Sequence, residues 1–73
     1  MSEKVYQKIR LSGCSSAGIE KAIELAVSHA GKNSANTAWF EVVEIRGALA
    51  DNKVVEWQVT VDVGYKCVDG VRY

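Results

Sequence analysis

Two thiols, one imidazole and two indoles are the side chains of this 73-residue chain whose chemistry stands out. Cys14 and Cys67 could close at most one disulfide, and they read as free thiols, small and semi-buried. His29 is the sole histidine and has no cysteine or carboxylate at metal-ligand spacing, so it reads as a partly exposed helix residue rather than a zinc ligand. No serine, cysteine or carboxylate pair has a candidate base beside it, and no G-x-G-x-x-G fingerprint is present, so the residues offer no catalytic constellation. The indoles divide. Trp57 shares a regular apolar register with its neighbours and reads as core. Trp39, taken alone, reads as a core or subunit-interface side chain, and Gln58, taken alone, as a solvated strand residue.

The elements that must position these groups follow from periodicity. Residues 5–11 alternate, with Val5, Ile9 and Leu11 on one side and Tyr6, Lys8 and Arg10 on the other, the pattern of a half-buried strand that only Gln7 interrupts. Ser12-Gly13-Cys14-Ser15-Ser16 breaks that alternation, and Ser15 or Ser16 can cap a following helix. The helix carries one apolar stripe, Ile19, Ala22, Ile23, Ala26, Val27 and Ala30, and Gly31 with Asn33 is expected to close it. Beyond the polar stretch 32–37, a long strand is expected over residues 38–50 and a third over 53–67, joined by the turn residues Asp51 and Asn52. In the third strand Val55, Trp57, Val59, Val61, Val63 and Tyr65 form one apolar face, and Glu56, Gln58, Thr60, Asp62 and Gly64 the other. The first is expected to be core, the second wet or functional.

The fold class is therefore α+β in the order β-α-β-β, a three-stranded antiparallel sheet wrapped on one helix, with the third strand between the first and second. With no proline, repeat or low-complexity tract, residues 1–73 read as a single domain. Its lengths do not match. A strand over 38–50 spans about 43 Å at roughly 3.3 Å per residue, whereas a helix of about sixteen residues spans about 24 Å. The second strand also carries large apolar groups in both registers, Trp39, Val43 and Ile45 in one, Phe40 and Val42 in the other. One helix covers only one face, so the remainder calls for another subunit or a flat apolar ligand. Small size leads to the same place, since a chain this short buries only about 60% of its unfolded surface and has neither a disulfide network nor a metal to compensate.

Nine basic and nine acidic residues give zero formal charge, so no net field draws in nucleic-acid phosphates. No apolar run approaches the roughly 18 residues of a membrane span, and there is no N-terminal apolar export segment. Neither nucleic acid nor membrane is an expected partner, and the expected location is cytoplasmic.

The runs Trp39-Phe40-Glu41-Val42-Val43-Glu44-Ile45-Arg46-Gly47 and Gln58-Val59-Thr60-Val61-Asp62-Val63-Gly64-Tyr65-Lys66 are similar, in residues and spacing, to the two motif blocks of bacterial dodecins. Val5-Tyr6-Gln7-Lys8-Ile9-Arg10-Leu11-Ser12-Gly13-Cys14-Ser15 also resembles that family's first strand and helix entry, so the resemblance covers nearly the whole chain. It implies twelve subunits assembled as a hollow dodecamer, with flavins held in stacked pairs between the indoles of two symmetry-related subunits. On that pattern Trp39 stacks on the isoalloxazine ring and Gln58 bonds its polar edge. The residue types suit the roles: an indole is a broad rigid plate whose stacking is worth about 1 to 3 kcal/mol by analogy with base stacking, and an amide offers both donor and acceptor. Arg46 reads either as a surface charge or as a phosphate contact near the flavin. Two departures stand out. Gly13-Cys14-Ser15 replaces the usual Gly-Thr-Ser, and Gly64-Tyr65-Lys66-Cys67 replaces Gly-Phe-Arg-Leu, so that Lys66, at the position the resemblance implies for a phosphate contact, keeps the charge of an arginine without its bidentate fork.

The resemblance thus implies storage and buffering of FMN, riboflavin or FAD, with Trp39 quenching the excited state and no turnover, so that the chain is not an enzyme. The rival readings are a non-catalytic assembly module that binds no flavin or takes another planar ligand such as coenzyme A, and a flavin-dependent reductase.

Overall fold

The computed structural model describes residues 3–33 and 36–67. Four elements follow one another: β1 (Tyr6–Ser15), α1 (Ile19–Asn33), β2 (Thr37–Ala50) and β3 (Lys53–Lys66). β3 lies between β1 and β2 and runs antiparallel to both, as the sequence predicts. Asp51 and Asn52 both take positive φ, 53° and 65°, the twisted two-residue turn that joins β2 to β3.

The core is thin. Ala22, Ala26 and Ala30 of α1 press on Val59, Val61 and Val63 of β3, all buried, with Ile9, Leu11, Ile19, Ile23 and Val27 packed around them. Small helix residues let the backbones approach closely, and the tightest point is Gly13 on β1, where a Cβ would run into the carbonyl oxygen of Ala22. That contact explains why β1 does not stop where the serine-rich segment suggests. Ser12 through Ser15 stay paired with Thr60 through Trp57, and the Ser12 and Thr60 hydroxyls share a 2.7 Å hydrogen bond.

The start of the helix differs from expectation. Ser15 Oγ accepts the Ala17 N–H at 2.9 Å, which makes a turn and not a cap. The helix itself starts beyond Gly18, whose carbonyl accepts the Ala22 N–H at 3.1 Å and whose φ of 145° is open to glycine alone at little strain. At the other end the helix continues through Gly31 to Asn33.

α1 packs on β1 and β3 and scarcely reaches β2, every residue of which is exposed. The chain extends 55 Å along its longest axis against 19 and 17 Å across it. Its radius of gyration, 15.2 Å, exceeds the roughly 11 Å that a compact chain of this length would have. One strand of the long hairpin, β2, has been built without a second layer to cover it.

Candidate functional site

Facing residues of antiparallel strands share a side of the sheet, so the register assigns each side chain. Phe40, Val42 and Ile45 stand opposite Val63, Val61 and Val59, on the side that α1 occupies. Trp39, Glu41, Glu44 and Arg46 stand opposite Gly64, Asp62, Thr60 and Gln58, on the other side. Strict alternation would separate Trp39 from Arg46 and group it with Ile45. An irregularity between Val42 and Glu44, where β2 spends one residue more than β3, reverses the parity and corrects that grouping. Tyr6, Lys8, Arg10, Ser12 and Cys14 complete this second face from β1, and Lys66 joins it opposite Tyr6. The four residues singled out by the resemblance, Trp39, Gln58, Arg46 and Lys66, therefore share one face.

They do not share one spot. Around Trp39 lie Gly64, Tyr6 and Lys66. The indole, 42% exposed, rests on Gly64: a Cβ there would meet Cε2, Cζ2 and Cη2 at nearly equal distances. A point equidistant from three successive ring atoms lies over the ring centre, so glycine supports the face of the indole and not its edge. The Tyr6 ring flanks it at 6.2 Å between centroids and 35° between planes, within the range of aromatic pairs. A recess that Trp39 lines together with Thr37, Ala38 and the helix-side residues Val27, Phe40 and Val63 holds about 160 Å³, below the roughly 300 Å³ at which small-molecule pockets begin. One chain offers a plate, not an enclosure.

Gln58 lies at the far end of the face, opposite Arg46 on one side and Cys14 on the other. It is half-buried, and Cys14 is exposed where a semi-buried thiol was expected. From Gly64 back to Gln58 the strand advances about 20 Å at roughly 3.3 Å per residue. Among the described residues neither Arg46 nor Lys66 forms an ion pair.

An ionic strip fills the middle. Arg10 donates to both oxygens of Asp62, Nε to Oδ1 at 2.7 Å and Nη2 to Oδ2 at 3.1 Å. Lys8 Nζ donates to Glu41 Oε1 at 3.0 Å and lies 3.6 Å from Asp62 Oδ2. The hydrogen bond from Arg10 holds the Asp62 carboxyl below the usual carboxylate range against the opposing effect of desolvation, and Arg10 and Lys8 add attraction. The hydrogen bond to Glu41 raises Lys8, with Asp62 contributing, and that to Asp62 raises Arg10. Two cations and two carboxylates cancel here, so the strip separates the two ends without favouring a charged ligand. Asp62 and Thr60 are buried on this side, so the middle of the face expected to be wet or functional is not wet.

Trp57 lies on the helix side, half-buried beside Ile19 and the first turn of α1, at the margin of the core and not inside it. His29 is exposed on α1. Among the described residues no group of three potential metal ligands comes together, and no helix is long and apolar enough to cross a membrane. Sequence reasoning missed Tyr6 and Gly64 as companions of Trp39, and the Arg10–Asp62 pair. The outward register of Tyr6, Lys8 and Arg10 was the only available signal.

Comparison with known proteins agrees with the fold. The family described as Dodecin matches residues 5–68. A dodecin from Thermus thermophilus is 44% identical over 63 residues, which cover 86% of this chain and 91% of that protein. Among solved structures, the tt0972 protein from Thermus thermophilus superimposes with a TM-score of 0.87 at 42% identity, covering 92% of this chain and 98% of the other. The dodecin from Streptomyces davaonensis does so with 0.86 at 37%, covering 93% and 100%.

Proposed function

The chain belongs to the dodecin family, and from that premise we propose that it is a non-catalytic flavin-binding protein that stores and buffers FMN, riboflavin or FAD in a homo-oligomeric shell of twelve subunits. The observation that carries this reading is the Trp39 indole, seated on Gly64 with its other face open at the sheet surface. A planar heteroaromatic ring fits that face by stacking, and an electron-rich indole in contact with an excited flavin quenches it without turnover.

Separation of the two ends bears on how the site is built. Trp39 and Gln58 of one chain are too far apart to meet the same three-ring system, so the isoalloxazine stacks on Trp39 of one subunit while its pyrimidine edge meets Gln58 of another. Each end brings a cation, Lys66 with the indole and Arg46 with the amide, either of which suits a flavin phosphate. Assembly supplies the missing wall. Phe40, Val42 and Ile45, between 43 and 51% exposed on the helix side of β2, form the apolar surface on which subunits associate.

The test is the absorption spectrum of the purified protein, before and after addition of FMN or riboflavin, read together with its native mass. A twelve-subunit mass with bound, non-fluorescent flavin is the expected result. A colourless assembly that takes up neither flavin would overturn the reading and leave an assembly module, for which coenzyme A is the next ligand to try.

A further inference from the structure

We propose that Gly64 and Tyr6 are positioning residues that hold the Trp39 indole face-down on the sheet, so that its open face is preorganised for stacking. The inference rests on the reading of Trp39 as the stacking residue. It goes beyond that reading by assigning the pose of the indole to two residues that need not touch the ligand.

Trp39 lies near the start of β2, between register irregularities at Thr37/Trp39 and Val42/Glu44. α1 scarcely reaches this strand, and β2 is exposed along its whole length. An indole so placed would keep rotamer freedom and lose it on binding, which weakens a ligand. The restraint comes from the other two strands. Gly64 on β3 presents bare backbone beneath the six-membered ring, and any Cβ there would occupy the space of the ring. Its φ lies outside the left-handed region, so the backbone at this position accepts an alanine; the indole is what requires glycine. Tyr6 on β1 stands opposite Lys66, two residues beyond Gly64 on the same face, and closes the flank of the indole with a ring tilted by 35°. With one face and one flank occupied, a single broad face remains.

The experiment uses the assembled protein carrying Trp57→Phe, which leaves Trp39 as the only tryptophan. Time-resolved anisotropy of Trp39 is measured without ligand, and FMN and riboflavin are titrated, for the parent and for Gly64→Ala, Tyr6→Ala and Tyr6→Phe. Gly64→Ala should keep the native mass and far-ultraviolet circular dichroism, increase fast local depolarisation of the indole and weaken both flavins about tenfold, as expected for lost preorganisation. Tyr6→Ala should do the same to a smaller extent, and Tyr6→Phe, which keeps the ring, should match the parent. Unchanged anisotropy in Gly64→Ala, or in Tyr6→Ala if the alanine at position 64 prevents folding, would overturn the proposal. A parent that binds neither flavin would overturn the ligand reading instead, while the ligand-free anisotropy still decides whether the seat holds the indole.

Discussion

Trp39 and Gln58 project from the same face of the sheet, yet Trp39 stands opposite Gly64 and Gln58 stands opposite Arg46, about 20 Å along β3 at roughly 3.3 Å per residue. On the proposed flavin-binding reading they are two half-sites within one chain, and the apolar residues exposed on the reverse of β2 would let a second chain bring its own half-site within reach.

Assembly should accordingly be a condition of binding. Replacing Phe40 or Val42 with glutamate introduces charge into the exposed apolar surface of β2, opposite Val63 and Val61 of β3, and leaves Trp39 and Gln58 themselves unchanged. Such variants should lose the large native mass and flavin affinity together, because a monomer keeps the plate and loses the wall. Native mass spectrometry and a flavin titration on the same sample check this. A monomer that binds flavin at full strength would show that one chain suffices.

The two cations flanking the half-sites should distinguish phosphorylated from unphosphorylated flavin. Lys66→Ala or Arg46→Ala should weaken FMN more than riboflavin, by about fivefold, the scale of one exposed charge contact near 1 kcal/mol. Raising the salt concentration should narrow that difference, since contacts of exposed charges are screened. Equal losses for the two flavins would remove the phosphate role.

Asp62 ties the middle of the face to Arg10 and Lys8, with Glu41 completing the cluster. Its pKa is lower folded than unfolded, so it stabilises the native state while ionised. That contribution is complete above the unfolded value of about 4 and is lost as pH falls through the lower folded value. Asp62→Asn should lower the urea midpoint at neutral pH and narrow the gap to the parent as the solution is acidified. A gap that stays constant down to pH 2 would mean that the ionised form contributes nothing specific.

The elements were readable because their signals are periodic. The stripe from Ile19 to Ala30 and the alternation at Val59, Val61 and Val63 each name one buried face, and Asp51-Asn52 tolerates the positive φ that a tight hairpin requires. What failed to read are places where the chain departs from its own period. Val42-Val43-Glu44 carries no sign of an insertion, yet one extra residue there moves Ile45 to the side of Phe40 and brings Arg46 to that of Trp39. Ser12 through Ser15 look like a break, yet Gly13 lets β1 pass beneath α1 and remain paired. At the candidate site, Trp39, Gln58, Arg46 and Lys66 stand out through the motif blocks that contain them. Gly64 lies in the second block and Tyr6 in the first-strand run, but nothing there ties either to the indole, because that relation crosses three strands and leaves no trace in linear spacing.

Trp39 and Trp57 together decide which indole stacks on flavin, since the same indole chemistry occurs once on the open face and once beside the helix. Trp39→Ala should leave the assembly formed, abolish most flavin affinity and restore the fluorescence of whatever flavin remains bound. Trp57→Phe trims a half-buried contact with α1, so it should lower stability by about 1 kcal/mol and leave quenching intact. Gln58→Ala should fall between them, weakening the flavin by the roughly 0.5 to 1.5 kcal/mol of one net hydrogen bond without releasing fluorescence. The measurement is a titration of flavin fluorescence against the parent and the three variants. Loss of quenching in Trp39→Ala alone is the predicted result; release of fluorescence by Trp57→Phe with quenching retained in Trp39→Ala would contradict the account.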